Sequence, residues 1–416
     1  MVEIKRTQSG GGYQASCQLK FKWSTIGALL ALSAVSLLQS LSLSRSPPSL
    51  IFTLDKQNGP TATDNNQAAG HCSNTTSKHR QLLAARTNEL LHSSEPDEKY
   101  YADILDEIRT GCGELCTSDK GRRVKLDDHN MKILPDKDLP FATYFSYRVV
   151  AKNVDCCDLF AHPLLDASAV RWPPPRTVPD AMREEFLGFD NDTEVILKGE
   201  YHKERFSGGK AATPLWTVES IEKMKKQSME GKLIGNYGGK GTAKLRAYAA
   251  KYCGGKHVAV VGSKSPWLEA VLLGIGARHV TTIEYGEITS LHPNVTTLTN
   301  AEFSEGFLNG SLESFDAFIS FSSMEHAGLG RYGDLLNPWG DVIMAAKMHC
   351  ALKPGGIAII GVPTLMDGGE GLVWNAHRHY GRSRWPFFLT NYRPLPQLNL
   401  EDEEYYYQDI VVAEAV

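Results

Sequence analysis

The densest group of reactive side chains in this 416-residue chain lies between Ser322 and Asp334. There Ser322, Ser323, Glu325, His326, Arg331, Tyr332 and Asp334 are interleaved with Gly328, Gly330 and Gly333. Three glycines within six residues predict a loop that bends closely around a ligand. His326, whose ordinary pKa lies near neutrality, suits the removal of a proton from a hydroxyl group, with Glu325 or Asp334 orienting its ring. The alternative is that Glu325 and His326 cap the helix that follows. Two visible ligands, Glu325 and His326, are too few to predict a metal ion. A second group, Asn375-Ala-His377-Arg378-His379-Tyr380, places two histidines on one face of a strand and Arg378 on the other. Arg378 can grip a carboxylate or phosphate, or the run is a solvated basic surface. The candidate catalytic residues are therefore His326, Glu325 and Asp334. Arg331, Tyr332, His377, Arg378 and His379 are the candidate substrate-binding residues.

These groups need a scaffold, and from about residue 230 strand-like and helix-like runs alternate as in βαβ units. KHVAVVG (256–262), HVTTIEY (279–285), FDAFISF (315–321) and IAIIGV (357–362) read as strands. Their lack of strict apolar–polar alternation predicts burial on both faces, hence a parallel, doubly wound α/β sheet. Ser265 and Pro266 are expected to open a helix through Leu273, and Trp339 to Leu352 reads as another. Lys353-Pro-Gly-Gly356 reads as a turn, and Tyr405 to Val412 as the closing edge strand. Ligands of such sheets sit beyond the carboxyl ends of the strands. Gly262 ends the first strand and lets the backbone approach a ligand. Glu284 ends the next strand, 22 residues on, where a carboxylate can accept both hydroxyls of a ribose.

The order of these features resembles class I S-adenosylmethionine-dependent methyltransferases across the C-terminal region. FDAFISFSSMEH (315–326) looks like that family's fourth strand with a trailing Glu-His pair, and ALKPGG (351–356) like the turn before its fifth. More closely, IEYGEI, SFSSMEHAGLGRYGD, LKPGGIAIIGVP and WNAHRHYG resemble an uncharacterised family of nematode and bacterial proteins, catalogued as a domain of unknown function with a methyltransferase-like fold. The resemblance implies a Rossmann-like fold and S-adenosylmethionine as cofactor, with Gly262, Ser263, Glu284 and Ser320 as the cofactor-binding residues. The glycine loop departs from the family pattern: Ser263-Lys-Ser-Pro266 follows Gly262, and no acid precedes it.

Trp23 to Ser44 has no charged residue and is long enough to span a bilayer. Lys5, Arg6, Lys20 and Lys22 precede it while Arg45 alone follows closely, which places the N-terminus in the cytosol. A cleaved signal peptide is the alternative. The expected organisation is a cytosolic tail (1–22), a signal-anchor helix (23–44), a disordered stem (45–98), an accessory region (99–230) and the methyltransferase-like domain (231–416). The expected address is that of a single-pass type II protein of the Golgi or endoplasmic reticulum. Asn74, Asn191, Asn294 and Asn309 begin glycosylation triplets. Beyond the anchor lie seven of the eight cysteines, an odd number, with Cys112 and Cys116 spaced for a local disulfide. A net charge of −4 gives no reason to expect a nucleic-acid partner. The function expected is O-methylation of a glycan, a small molecule or another secretory-pathway acceptor. The competing readings are a non-catalytic interaction protein and a glycosyltransferase using Asp136 and Asp138 or Asp190 and Asp192.

Overall fold

The computed structural model describes residues 72, 75–91, 96–116, 152–166, 173–187, 194–196, 213–236, 238–364, 370–381, 384–396, 398 and 408–416. All of these fall within one compact unit. Among them no helix is long and apolar enough to cross a membrane. The expected anchor at 23–44, Asn74, Asn191 and the two aspartate pairs lie outside the described residues.

The centre is a seven-stranded sheet. Its first three strands in chain order are β3 (His257–Val261), β4 (His279–Glu284) and β6 (Val295–Thr299), followed by β7 (Phe315–Phe321), β8 (Leu352–Pro363), β11 (Tyr392–Pro394) and β12 (Gln408–Ala415). They lie side by side as β11-β12-β8-β7-β3-β4-β6. β6, β4, β3, β7 and β8 pair in parallel, while β12 runs antiparallel to both β8 and β11. The doubly wound parallel sheet expected from the apolar runs is therefore present. The C-terminal strand, expected at the edge, is inside: β11 covers it, and the buried Ile410, Val411 and Val412 explain its apolar sequence. Lys353 to Gly356 form a bulge within β8, since the pairing moves from Phe315 with Leu352 to Ala317 with Ile357. Gly355, at φ 72°, takes the left-handed turn of that bulge.

Helices cover both faces. On one, Ile221 of α5 (Val218–Met229), Leu245 and Tyr248 of α6 (Gly238–Tyr252), and most of α7 (Trp267–Gly274) pack on Val258, Val260, Ile319 and Ile359. On the other, side chains of α3 (Cys156–Ala161), α8 (Asn300–Leu308), α9 (Gly340–Ala351) and α10 (Arg384–Phe388) pack on Ala259, Phe318, Ile360 and Val411. α8 opens on a capping box in which Thr299 and Glu302 satisfy each other's backbone N–H groups. α7 begins at Trp267 rather than Ser265. Pro266 holds its N-cap position without a side-chain bond, since a proline ring has no acceptor to offer, and the Ser265 carbonyl accepts Trp267 N–H and lies 3.0 Å from the Ser263 hydroxyl.

The N-terminal half is built onto this sandwich. α2 (Glu98–Cys112) and α4 (Asp180–Leu187) form an outer layer on Trp339, Val342 and Ile343 at the start of α9. β1 (Glu194–Ile196) joins β9 (Gly371–Val373) and β10 (His377–His379) in a small sheet, and β2 (Leu215–Trp216) pairs with β5 (Thr289–Ser290). Within the expected accessory region, 99–230, α2 to α4 pack on α9, while α5 belongs to the helical layer of the main sheet. Helix α1 (Thr75–Leu91) lies within the expected stem. It lacks a broad apolar stripe and is held instead by buried Thr87, half-buried Leu90 and Leu91, and an Arg86–Glu107 ion pair at 2.5 Å. Disulfides join Cys72 to Cys157, Cys156 to Cys350 and, as its spacing suggested, Cys112 to Cys116. Cys253 is the free thiol among the described cysteines, and burial pushes its pKa up to about 12, which keeps it unreactive.

Candidate functional site

The loops after β3, β4 and β7 meet at the carboxyl end of the sheet. Gly262 stands at φ 78°, and its N–H donates to the Ile283 carbonyl at 2.9 Å. A β-carbon there would collide with the Ser323 side chain, so the glycine also lets the loop after β7 approach closely. Ser263 N–H donates to Glu284 Oε2 and Tyr285 N–H to Oε1, both at 2.8 Å. Glu284 thus ties the first two strand ends together. Each oxygen accepts one backbone bond, and a carboxylate has about four acceptor positions in all, so two hydroxyls of a ribose can still be received. Burial raises its pKa. A small cleft opens beside Tyr285, lined also by Leu164, Gly328, Asp334, Asn337 and Lys347. Ser320 is sealed within β7 on the α9 side, and its hydroxyl has no partner among the described residues.

Sequence reasoning missed Glu269. This carboxyl of α7 is wholly buried beneath the glycine loop, with Thr282 Oγ1 donating to Oε1 at 2.7 Å and Ser263 Oγ 3.1 Å from Oε2. Burial pushes its pKa up to about 7. Ser263 has one hydroxyl hydrogen and lies within donating distance of both the Ser265 carbonyl, at 3.0 Å, and Glu269 Oε2. When the hydrogen serves the carbonyl, a protonated Oε2 completes the second bond, as a raised pKa allows. The available signal was a lone carboxylate inside the apolar run WLEAVLLG.

After β7 the chain takes a left-handed turn at Ser322, φ 53°, with the Ser322 hydroxyl donating to Glu325 Oε1 at 2.5 Å. Met324 to His326 form a 3-10 turn that Glu325 and His326 do not use to cap α9, whose N-cap position is Trp339. His326 Nδ1 donates to the Ala376 carbonyl at 2.5 Å, leaving Nε2 as the proton-accepting nitrogen, 3.6 Å from Glu325 Oε1. Burial, reinforced by the Arg331 charge, lowers the His326 pKa to about 3. The expected base of near-neutral pKa is thus a constitutively neutral imidazole. Asp334 does not orient it: the Asp334 carboxylate accepts Gly330 and Tyr332 N–H groups at 3.1 Å and shapes the glycine-rich loop.

β10 brings His377 and His379 against this loop. The two rings lie 4.8 Å apart, His377 is 6.2 Å from the His326 ring, and the Tyr332 ring is 5.5 Å from it. Arg331 stacks on Tyr332 at 5.4 Å. Among the described residues no three His, Cys, Asp or Glu side chains converge as a metal site. Arg378, on the opposite face of β10 as the alternation required, is neither solvated nor open to a substrate. It is 2% exposed, gives its N–H groups to the carbonyls of Ala327, Asn337 and Pro338, and lies 4.0 Å from Asp341. Arg384 pairs with the same Asp341, and Tyr380 donates to it at 2.7 Å. Burial would raise the Asp341 pKa, but Arg384 and Arg378 outweigh it and hold it at about 2. This buried knot fixes β10 to the start of α9.

Seven strands in the lateral order third, second, first, fourth, fifth, seventh, sixth of the chain, with the seventh antiparallel, define a class I methyltransferase-like α/β fold. Residues 255–408 match the model of the family described as Caenorhabditis protein of unknown function, DUF268, the kind of family that the motifs resemble. No curated protein matches the chain. Among solved structures it is similar to the 1,6-didemethyltoxoflavin-N1-methyltransferase of Burkholderia thailandensis, with 16% identity over 47% of this chain and 87% of that one and a TM-score of 0.31. A putative S-adenosylmethionine-dependent methyltransferase of Listeria monocytogenes shares 13% identity, covering 42% of this chain and 99% of that one, with a TM-score of 0.29. The N-methyltransferase NodS of Bradyrhizobium japonicum, crystallised with S-adenosylhomocysteine, shares 10%, covering 46% and 98%, with a TM-score of 0.28.

Proposed function

We propose that the chain is an S-adenosylmethionine-dependent methyltransferase that acts on a hydroxyl group of a glycan or other secretory-pathway acceptor. The observation that carries this reading is Glu284, a carboxylate with acceptor capacity in reserve at the end of the second strand, joined through Ser263 to the glycine loop of the first. Glu284 and the Gly262-Ser263 backbone would hold the cofactor, which when bound supplies an electrophilic methyl group. The adjoining loop after β7 would receive the acceptor. His326 presents Nε2 to the acceptor's proton. So weak a base suits a hydroxyl that becomes strongly acidic only as its oxygen is alkylated. The lumenal address, with residues 23–44 as anchor, is supported by three disulfides, which persist in oxidising compartments, and by the exposed Asn294 and Asn309 of two glycosylation triplets. Calorimetry with the purified chain tests the reading: S-adenosylmethionine binds the wild type, and Glu284→Ala abolishes binding. A correctly folded wild type that shows no binding rejects it.

A further inference from the structure

We infer that Arg331 is the receptor for an oxyanion, so that the acceptor of the proposed reaction carries a carboxylate, phosphate or sulfate group. The inference rests on the reading of the loop after β7 as the acceptor site. Three buried or half-buried arginines surround that loop, and two are fully employed: Arg378 by three carbonyls and Asp341, Arg384 by Asp341 and the Pro338 carbonyl. Arg331 is not. Its Nη1 shares the Ala376 carbonyl, at 3.2 Å, with His326 Nδ1, and its Nε is shielded from water with no hydrogen-bond partner among the described residues. No ion pair joins Arg331 to a carboxylate among those residues. A guanidinium left with an unused donor in a half-buried position costs free energy that a bound anion recovers. Nη1 is engaged, so the donors left over are Nε and Nη2, which share one planar edge; with Nε covered, an anion must enter from the Nη2 end.

The surroundings favour the same ligand. Tyr332, stacked on the guanidinium, is 38% exposed, so the cluster reaches solvent. His326 and His377 add donors or acceptors beside it, while the Glu325 carboxylate lies 3.6 Å from His326 Nε2. The Arg331 charge also depresses the proton affinity of His326. An anion bound to Arg331 would offset that effect, so an anionic acceptor improves the base it is to use.

The test is titration calorimetry of the full chain with sodium phosphate, sodium sulfate and sodium glucuronate, alongside Arg331→Gln, Arg331→Lys and the surface control Arg393→Gln. The wild type and Arg393→Gln are expected to bind at least one anion saturably, and the preferred anion identifies the group on the acceptor. Arg331→Gln should weaken binding by about tenfold or more. Arg331→Lys, which keeps the charge but loses the fork, should fall between and decides the matter if Arg331→Gln fails to fold. No binding by the wild type, equal binding by the Arg331 variants, or an equal loss in Arg393→Gln overturns the inference. Titration of the same samples with S-adenosylmethionine separates the two readings. Cofactor binding without anion binding refutes the anion site alone, and anion binding at Arg331 without cofactor binding refutes methyl transfer alone.

Discussion

Replacing Glu269 by Gln should stabilise the protein at alkaline pH and leave it nearly unchanged in acid. The folded chain holds the Glu269 pKa at about 7, against an ordinary value of 4.5. A raised carboxyl pKa means that the folded state binds the proton more tightly. Its contribution to stability is therefore complete below about pH 4.5 and is lost as pH rises through 7. At about 1.4 kcal/mol for each tenfold change in proton affinity, the full loss is roughly 3 kcal/mol. Gln accepts from Thr282 Oγ1 as Glu does, and its amide can donate to Ser263 Oγ as the protonated acid does, so the network under the glycine loop is retained. Urea unfolding from pH 4 to pH 8.5 measures the difference. It should be close to zero near pH 4 and reach about 3 kcal/mol in favour of Glu269→Gln at pH 8. A difference that does not depend on pH, or a variant less stable at pH 8, would show that folding does not raise the Glu269 pKa and that the hydrogen-bond assignment through Ser263 is wrong.

Asp341→Asn should cost about 3–5 kcal/mol, because it leaves Arg384 and Arg378 buried without their shared counter-ion. The depressed Asp341 pKa has the opposite sign to that of Glu269. Its stabilisation is present above the ordinary carboxylate value of 3.8 and is lost as pH falls towards 2, so the wild type should lose its advantage over Asp341→Asn in acid unfolding curves. Joint replacement of Cys156 and Cys350 by Ser should lower stability by about 2–5 kcal/mol in urea titrations under non-reducing conditions. Equal unfolding midpoints for the double variant and the oxidised wild type would mean that this bridge does not constrain the unfolded chain.

The parts of this fold that could be read in the sequence share one property: their cause is local. Buried parallel strands are short, largely apolar runs without alternation, so HVAVV and FDAFISF announced themselves, and Glu284 was visible as an acid at a strand end. The alternation of a strand also put His377 and His379 on one side and Arg378 on the other. What failed was decided by residues far away in the chain. Helix α1 has no apolar stripe to announce it and depends on Cys157 and Glu107. The role of Arg378 depends on the carbonyls of Ala327, Asn337 and Pro338, some forty to fifty positions away. Arg331 and Arg378 look equally able to bind an anion when only their neighbours in sequence are considered. The fold separates them by giving one a complete set of acceptors and leaving the other with an unused donor beside an exposed tyrosine. Anion recognition therefore belongs to the arginine that the fold has not employed.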